Sequence, residues 1–139
     1  MVVLLDTEAY FSKAIADILP SRISIYKSHF QYCPIDFILI NHQNIKTLYL
    51  EHKRRFIIGA NFCTFWIKKA KIQSILSTYK EFIFVSECDD NIYHIWINEL
   101  TIPKYKVETN EYGEVVVNID IADCVMGYDA LKDTILKHI

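Results

Sequence analysis

The sequence predicts an α/β protein in which helices flank a central mixed β-sheet. Two observations predict this class. Three segments have the apolar spacing of helices, and six others have the composition of strands, in the order α-β-β-β-α-β-β-β-α. This order fits a mixed sheet better than a doubly wound parallel one. With 139 residues, only three glycines and three prolines, and no internal repeat, the chain is expected to form one domain over residues 1–139.

The first helix is predicted in "DTEAYFSKAIADIL". Asp6 or Thr7 is a suitable N-cap, and apolar residues then recur at i, i+3, i+4, i+7 and i+8 from Phe11 to Leu19. Pro20 ends the helix, since proline lacks the backbone N–H that a further turn would need.

Three strands are predicted next, in "RISIYKSHF" (22–30), "IDFILIN" (35–41) and "KTLYLEHK" (46–53). The first alternates polar and apolar residues, and the other two are rich in β-branched and aromatic residues. The last two are close enough in sequence to form a hairpin around "HQN".

We expect this hairpin to pair Ile40 with Ile45. Asp36 would then lie opposite Tyr49 and diagonal to Glu51, on the same face of the sheet. A loop one residue longer or shorter would turn Asp36 to the other face unless a bulge corrected the register.

The remaining segments complete the predicted order. They are a second helix, two strands joined by "CDDN", a polar stretch, a strand and a closing helix, at 64–79, 81–87, 92–98, 101–113, 114–121 and 129–139.

The hairpin concentrates groups that can carry chemistry. Because strand side chains alternate between faces, Glu51 and Lys53 share a face and His52 projects from the other. Asp36 would join Glu51, and two carboxylates on a half-buried face repel each other and lose hydration. A hard divalent cation such as Mg²⁺ removes both costs, using carboxylates, water and a substrate phosphate as ligands. Lys53 could then orient an attacking water, lower its pKa or stabilise the developing charge.

Glu8 is a further candidate for this cluster. It lies in the first turn of the first helix, at one end of the apolar face. The alternative is a solvated side chain that complements the helix dipole.

Charge is unevenly distributed along the chain. The net charge of −2 argues against a generally basic surface, but residues 1–71 carry +5 and residues 72–139 carry −7. Such a block indicates either a solvated face or a path for a polyanion. If it is a path, the candidates for contact with nucleic-acid phosphates are Arg54, Arg55, Lys68, Lys69 and Lys71.

Other features restrict the class of protein. No apolar run approaches the ~20 residues of a membrane span, so no membrane partner is expected. The N-terminus is a poor signal peptide, which favours an intracellular, cytoplasmic location. The Ile-, Lys- and Tyr-rich composition is suggestive of a phage or virus, for which this would be the host cytoplasm. Four cysteines without a CxxC motif argue against a zinc site; free thiols are expected, and a disulfide stays open.

These residues resemble the PD-(D/E)XK phosphodiesterase superfamily, which includes restriction enzymes, archaeal-type Holliday junction resolvases and viral nucleases. The similarity runs from "DTEAYF" through "PIDFILI", "LYLEHK" and "KIQSIL" to about Asn98. The resemblance implies a restriction-endonuclease-like αβββαβ core at about 5–98 and a β-α extension at about 101–139. The Pro-Asp motif of the family is spaced here as Pro34-Ile35-Asp36.

The resemblance also implies a function and a set of roles. The function is cleavage of phosphodiester bonds dependent on Mg²⁺ or Mn²⁺, in DNA more than in RNA. Asp36, Glu51 and Glu8 would hold metal, Lys53 would assist the water, and Gln73 would be the polar residue of the following helix. A (D/E)-x-K tripeptide is expected by chance roughly once in a chain this long, so the tripeptide alone is not diagnostic. The resemblance depends on the position of this tripeptide at the end of an apolar hairpin strand.

Alternatives remain open at this stage. The chain could be an RNA endonuclease with the same chemistry. It could also be an inactive nucleic-acid-binding or protein-interaction domain with the same fold. Because family members are often dimers, the half-exposed strand at 114–121 is a candidate homodimer surface.

Overall fold

The computed structural model describes residues 7–28, 35–55, 64–88 and 91–139, apart from the side chains of Thr7, Glu8, Arg54, Arg55, Thr64, Cys88 and Pro103. It confirms the predicted fold class, since helices flank a central sheet that contains both parallel and antiparallel strands.

The helices are α1 (Thr7–Ile18), α2 (Lys69–Thr78) and α3 (Tyr128–His138). The strands are β1 (Ile23–Lys27), β2 (Phe37–Asn41), β3 (Thr47–Arg55), β4 (Thr64–Lys68), β5 (Glu81–Cys88), β6 (Asn91–Asn98), β7 (Lys106–Thr109), β8 (Val115–Asp120) and β9 (Val125–Met126). Short 3-10 helices occur at Ile102–Lys104 and Ile121–Asp123. None of the helices in the described ranges is long and apolar enough to cross a membrane.

The strands form two sheets. The first has six strands in the order β1-β2-β3-β5-β6-β9, and the second has three in the order β4-β8-β7. Within the first, β3 and β5 are parallel and the other neighbours are antiparallel. Strand β3 is therefore internal, with β2 on one side and β5 on the other.

Two apolar cores lie on opposite faces of the large sheet. Helices α1 and α3 cover one face, where Phe11 and Leu131 pack with Phe37, Leu50 and other apolar residues of the sheet. Helix α2 and the small sheet cover the other face, where Ile72 and Ile75 pack with Phe82 and Phe84. The alternation of β3 puts Leu50 in the first core and turns Glu51 toward the second layer.

The predicted helix at 64–79 was wrong in its first five residues. They form β4, whose Phe65 and Ile67 are buried and lie opposite Ile119 and Val117 of β8. Two alternate apolar residues fit a strand that is half covered, and the partner strand lies about 50 residues away in sequence. A local pattern does not reveal such a partner.

The predicted strands were also incomplete. Strands β7 and β9 were not predicted because they contain four and two residues and are largely exposed. Each is held by pairing to a longer strand, β8 or β6.

The predicted hairpin register was wrong by two residues. Because the error is an even number of residues, the side chains still point to the predicted faces of the sheet. Ile38 lies opposite Tyr49 and Ile40 opposite Thr47, so the loop closes between Asn41 and Lys46, where the Asn41 N–H donates to the Lys46 carbonyl over 2.9 Å. The side chain of Asn41 accepts from the Gln43 N–H. Asparagine is a turn-forming residue for this reason. An even shift leaves Asp36 on the predicted face.

The C-terminal extension contributes to both cores. Val117 and Ile119 of β8 pack beside α2, whereas Leu131 and Ile135 of α3 pack beside α1. The extension thus packs against described helices and strands from both halves of the sequence before it.

Replacing Ile135 with alanine should therefore destabilise the whole domain. Ile135 is fully buried, and deleting such a side chain costs about 2–4 kcal/mol from lost burial and the cavity left behind. Chemical denaturation should show one cooperative transition at lower denaturant concentration.

Asp133→Ala is the matched control, because Asp133 is exposed on the same helix. Its expected effect is within about 0.5 kcal/mol. Equal stability of the two variants would contradict the packing of α3 described above.

Candidate functional site

Glu51 is the most deeply buried carboxyl among the described residues. It lies in the middle of β3, is 1% exposed, and has Phe84 as its neighbour on β5. The side chain extends into the layer between the large sheet and α2. A carboxylate in such a position loses its hydration and requires a compensating partner.

Asp36 contacts β3 on both sides of Glu51. Its backbone N–H donates to the Leu50 carbonyl over 3.2 Å, and its Oδ2 accepts from the His52 N–H over 2.9 Å. These bonds hold the half-buried Asp36 carboxyl against that of Glu51, to which it is hydrogen-bonded. The structure thus brings together the two carboxyls that the sequence predicted would share a face.

The pair does not hold two full negative charges at neutral pH. Burial, followed by the hydrogen bond to Asp36 and its charge, raises the pKa of Glu51 from 4.5 to about 9, against the opposing effect of Lys71. Glu51 therefore keeps its proton at neutral pH, as is typical of a buried carboxyl beside a second one.

Lys71 of α2 supplies the positive charge at this site. Its Nζ lies 3.2 Å from Glu51 Oε1, and its side chain is 34% exposed. From the sequence, Lys71 was expected to lie on a solvated basic face or to contact phosphates, and not to reach a carboxyl. Its position one turn before the buried Ile75, on the same helix face, was a signal that its stem would run into the packed layer. With one proton on the carboxyls, the three side chains are close to neutral together.

One oxygen of this cluster has no donor among the residues that the structure describes. This oxygen is the buried Glu51 Oε2. Lys71 approaches the other oxygen, and a protonated Glu51 donates to the Asp36 carboxyl rather than accepting from it.

Lys53 lies two residues beyond Glu51 and is exposed. Strand β3 pairs with β5 without interruption from Leu50 to Arg55. Its side chains therefore alternate regularly between the two faces of the sheet, and Lys53 lies on the same face as Glu51. Its neighbour in the register is Ser86, whose buried Oγ has no hydrogen-bond partner in the described part of the chain.

His52 projects to the opposite face, as predicted. It is buried and stacked on Phe11, with ring centroids 4.3 Å apart, and its Nε2 lies 3.2 Å from Glu87 Oε1. This histidine is a packing residue of the α1 layer rather than part of the carboxyl cluster.

The structure does not bring Gln73 into the cluster. It is exposed and lines a groove with Lys69 and Leu76. On a helix with 3.6 residues per turn, it points roughly 200° away from Lys71. The role that the family resemblance implies for Gln73 has no contact in the described structure to support it.

The remaining predicted contacts are dispersed. Lys68 is paired with Glu114, with 2.6 Å between Nζ and Oε2, and this contact lowers the pKa of Glu114. Lys69 forms no ion pair with a described carboxylate and lines the groove with Gln73. The side chains of Glu8, Arg54 and Arg55 lie outside the described residues, so their predicted roles remain predictions.

The carboxyl pair suits a hard divalent cation. It offers oxygen ligands of the type that Mg²⁺ and Mn²⁺ prefer, and a buried oxygen without a donor. Within the described ranges, no group of three His, Cys, Asp or Glu side chains is placed to hold a metal. Mg²⁺ typically binds proteins through one or two carboxylates, with water and substrate phosphate completing its shell, so two carboxyls are a sufficient protein contribution.

No protein-family model and no curated protein matches this sequence. Among solved structures, the chain is similar to Hjc, a Holliday junction resolvase of Archaeoglobus fulgidus, with 10% sequence identity and a TM-score of 0.49. The similarity covers 78% of this chain and 85% of that one. A likeness at this level does not by itself indicate a shared substrate or activity.

The stability of the metal-free protein should depend on pH through Glu51. Its folded pKa of about 9 lies above the ordinary value of 4.5. The folded state therefore holds a proton that the unfolded state releases. The resulting stabilisation is complete below pH 4.5 and is lost progressively as the pH rises to about 9. The free energy of unfolding of the wild type, relative to Glu51→Gln, should fall between these limits in chemical denaturation.

Glu99→Gln is the control, because Glu99 is exposed in a turn. Its stability relative to the wild type should change little over the same range. A wild-type minus Glu51→Gln difference that stays constant between pH 5 and pH 9 would contradict the raised pKa.

Proposed function

We propose that this protein is a metal-dependent endonuclease that hydrolyses phosphodiester bonds, with DNA favoured over RNA. The observation that carries the proposal is the convergence of the Asp36 and Glu51 carboxyls on the sheet face that also bears the exposed Lys53. This combination of two acids and an amine is the one the resemblance in sequence implies.

The two carboxyls are proposed to hold the metal. A Mg²⁺ or Mn²⁺ ion bound there would polarise a phosphate oxygen and lower the pKa of a bound water. Asp36 is already oriented by the His52 N–H and the Leu50 carbonyl. Glu51 is fixed by its burial in the strand. Ligands held in this way need little reorganisation when a cation arrives.

Lys53 is proposed to act on the reacting groups. Its exposure makes it accessible to a nucleic-acid backbone, unlike the buried Glu51. In hydrolysis, the oxygen of water forms a bond to phosphorus while the bond from phosphorus to the leaving oxygen breaks, and a proton passes to that oxygen. The Lys53 ammonium can orient the water and stabilise the charge that develops on the phosphate.

The distribution of cations suggests where a polyanion would bind. Lys68 has a carboxylate partner on β8, which reduces its value as a phosphate contact. Lys46, Lys53 and Lys69 form no ion pair with a described carboxylate. We propose that the backbone of the nucleic acid passes the end of β3 that carries Lys53, with Arg54 and Arg55 as further contacts, and not the end that follows Lys46. A homodimer would extend such a surface and stays a prediction.

A second candidate is supported by the Lys71 contact. Because the ammonium partly compensates Glu51 without any metal, the cluster could be a structural ion pair in an inactive nucleic-acid-binding or protein-interaction domain. The two candidates differ in their response to divalent cations.

Lys53→Ala should abolish cleavage while leaving the fold and nucleic-acid binding nearly intact. Loss of a positioned acid–base group typically lowers the rate by about 10²–10⁴-fold, and an exposed lysine contributes little to stability. Single-turnover cleavage of labelled DNA and RNA, together with thermal denaturation, measures both effects.

Lys46→Ala is the matched control, since it removes an equally exposed lysine just before the other end of β3. It should retain cleavage close to the wild-type rate. A Lys53→Ala variant as active as Lys46→Ala would overturn the role assigned to Lys53.

Metal removal should separate the two candidate functions. A nuclease should bind Mn²⁺ in calorimetric titration, lose cleavage in EDTA and regain it with Mg²⁺ or Mn²⁺. Asp36→Asn and Glu51→Gln should each weaken Mn²⁺ binding by about tenfold or more, since each removes one of two charged ligands. Wild-type protein that binds no Mn²⁺ and cleaves neither polymer would favour the inactive domain.

A further inference from the structure

The carboxyl cluster already contains a positive charge, the Lys71 ammonium, which comes from the helix layer that covers this face of the sheet. Asp36 and Glu51 are held by the hairpin, whereas Lys71 reaches them from α2. The site therefore has two parts, a fixed pair of oxygen ligands and a long, flexible side chain that ends in a positive charge. A lysine side chain has four rotatable bonds and is the more mobile partner of such a pair.

The degree of exposure indicates which partner can move. Glu51 is 1% exposed and belongs to an internal strand. Lys71 is 34% exposed, so its ammonium has a route to water along the surface of α2. Lys71 can leave the site by a change of side-chain rotamer, without opening either core.

The ammonium compensates the carboxyls incompletely. It lies 3.2 Å from Glu51 Oε1, while no described residue donates a hydrogen bond to the buried Glu51 Oε2. A buried acceptor in this state is destabilising, because it has lost its hydration without gaining a donor. An ion that coordinates oxygens from both carboxyls would remove this cost, which favours exchange of the ammonium for a divalent cation.

We propose that Lys71 occupies the cation position in the metal-free protein and that a divalent metal must displace its ammonium to bind. This inference rests on the proposed function, in which Asp36 and Glu51 are the metal ligands. Lys71 thereby sets the metal concentration at which the site fills. In the metal-free protein, Lys71 is a positioning residue for the carboxyl pair. When metal is present, its ammonium competes with the metal for the same oxygens.

The test compares Mn²⁺ binding to the full chain of the wild type, Lys71→Met and Lys69→Met by isothermal titration calorimetry. Methionine keeps the length and apolar stem of lysine and removes the charge. Lys69→Met is the matched control, because it removes the same charge from the same helix at a residue that has no described carboxylate partner. Lys71→Met should bind Mn²⁺ about tenfold more tightly than the wild type, and Lys69→Met within about twofold.

A second measurement checks the same competition without relying on binding heats. Ligands that bind only the folded state stabilise it in proportion to the logarithm of concentration over Kd. Mn²⁺ should thus raise the Tm of Lys71→Met more than that of the wild type or Lys69→Met. Lys71→Arg, which retains the charge, should behave like the wild type.

The outcomes distinguish the two levels of the proposal. If the wild type binds Mn²⁺ and Lys71→Met binds it no more tightly, displacement is wrong and the proposed metal site stands. If Lys71→Met and Lys69→Met gain the same affinity for Mn²⁺, the gain comes from the lower net positive charge in general, and displacement is again wrong. If neither the wild type nor Lys71→Met binds Mn²⁺, both the metal site and the displacement fail.

Discussion

The organising constraint of this structure is the burial of Glu51 beside a second carboxyl. An internal strand that is covered on both faces normally carries apolar residues, and β3 does so at Leu48 and Leu50. Glu51 interrupts that pattern with a group whose charged form is expensive to bury. Its surroundings follow from this cost: Asp36 is hydrogen-bonded to it, burial beside that carboxyl raises its pKa, and the Lys71 ammonium of α2 lies against one of its oxygens. The hairpin and the helix are thereby linked by electrostatics as well as by the apolar core.

The two-layer arrangement explains why these groups meet. Because β3 alternates, Leu50 and His52 complete the α1 and α3 layer, while Glu51 and Lys53 face the α2 layer. The small sheet completes the cover of this second layer by pairing β8 of the acidic C-terminal half with β4 of the basic segment. The pair formed by Lys68 and Glu114 lies at this junction. Charge that is segregated along the sequence is thus partly neutralised in space, and the cations left without partners are fewer than the sequence suggests.

The sequence was sufficient to predict local helices and strands and the sheet face on which each side chain lies. It was insufficient to predict which strands pair when they are far apart in the chain. Helix α1, the β2–β3 hairpin and the shared face of Asp36 and Glu51 follow from spacing within about 20 residues. The exact hairpin register depended on Asn41 and Asn44, whose side chains accept from the Gln43 and Lys46 N–H groups and fix which residues close the loop. Strand β4 required its partner β8, about 50 residues away, and looked helical without it. Likewise, the spacing of Lys71 from Ile75 could indicate that its stem enters the packed layer, but not that a carboxyl of β3 lies within its reach.

A buried cluster of charged groups contributes little to the free energy of unfolding. Its presence in the sheet therefore needs a reason other than stability. Replacing a buried ion pair with apolar side chains of similar volume is often neutral or stabilising. Leu at position 51 would extend the apolar series of β3 at no electrostatic cost. Within the described ranges, Glu51 Oε2 also has no donor, an imperfection that a purely structural pair has no reason to retain. A proton, an ammonium and a divalent cation are the three ways to neutralise such carboxyls. The protein as described uses the first two incompletely, which leaves the third as the arrangement in which every oxygen of the pair can be satisfied.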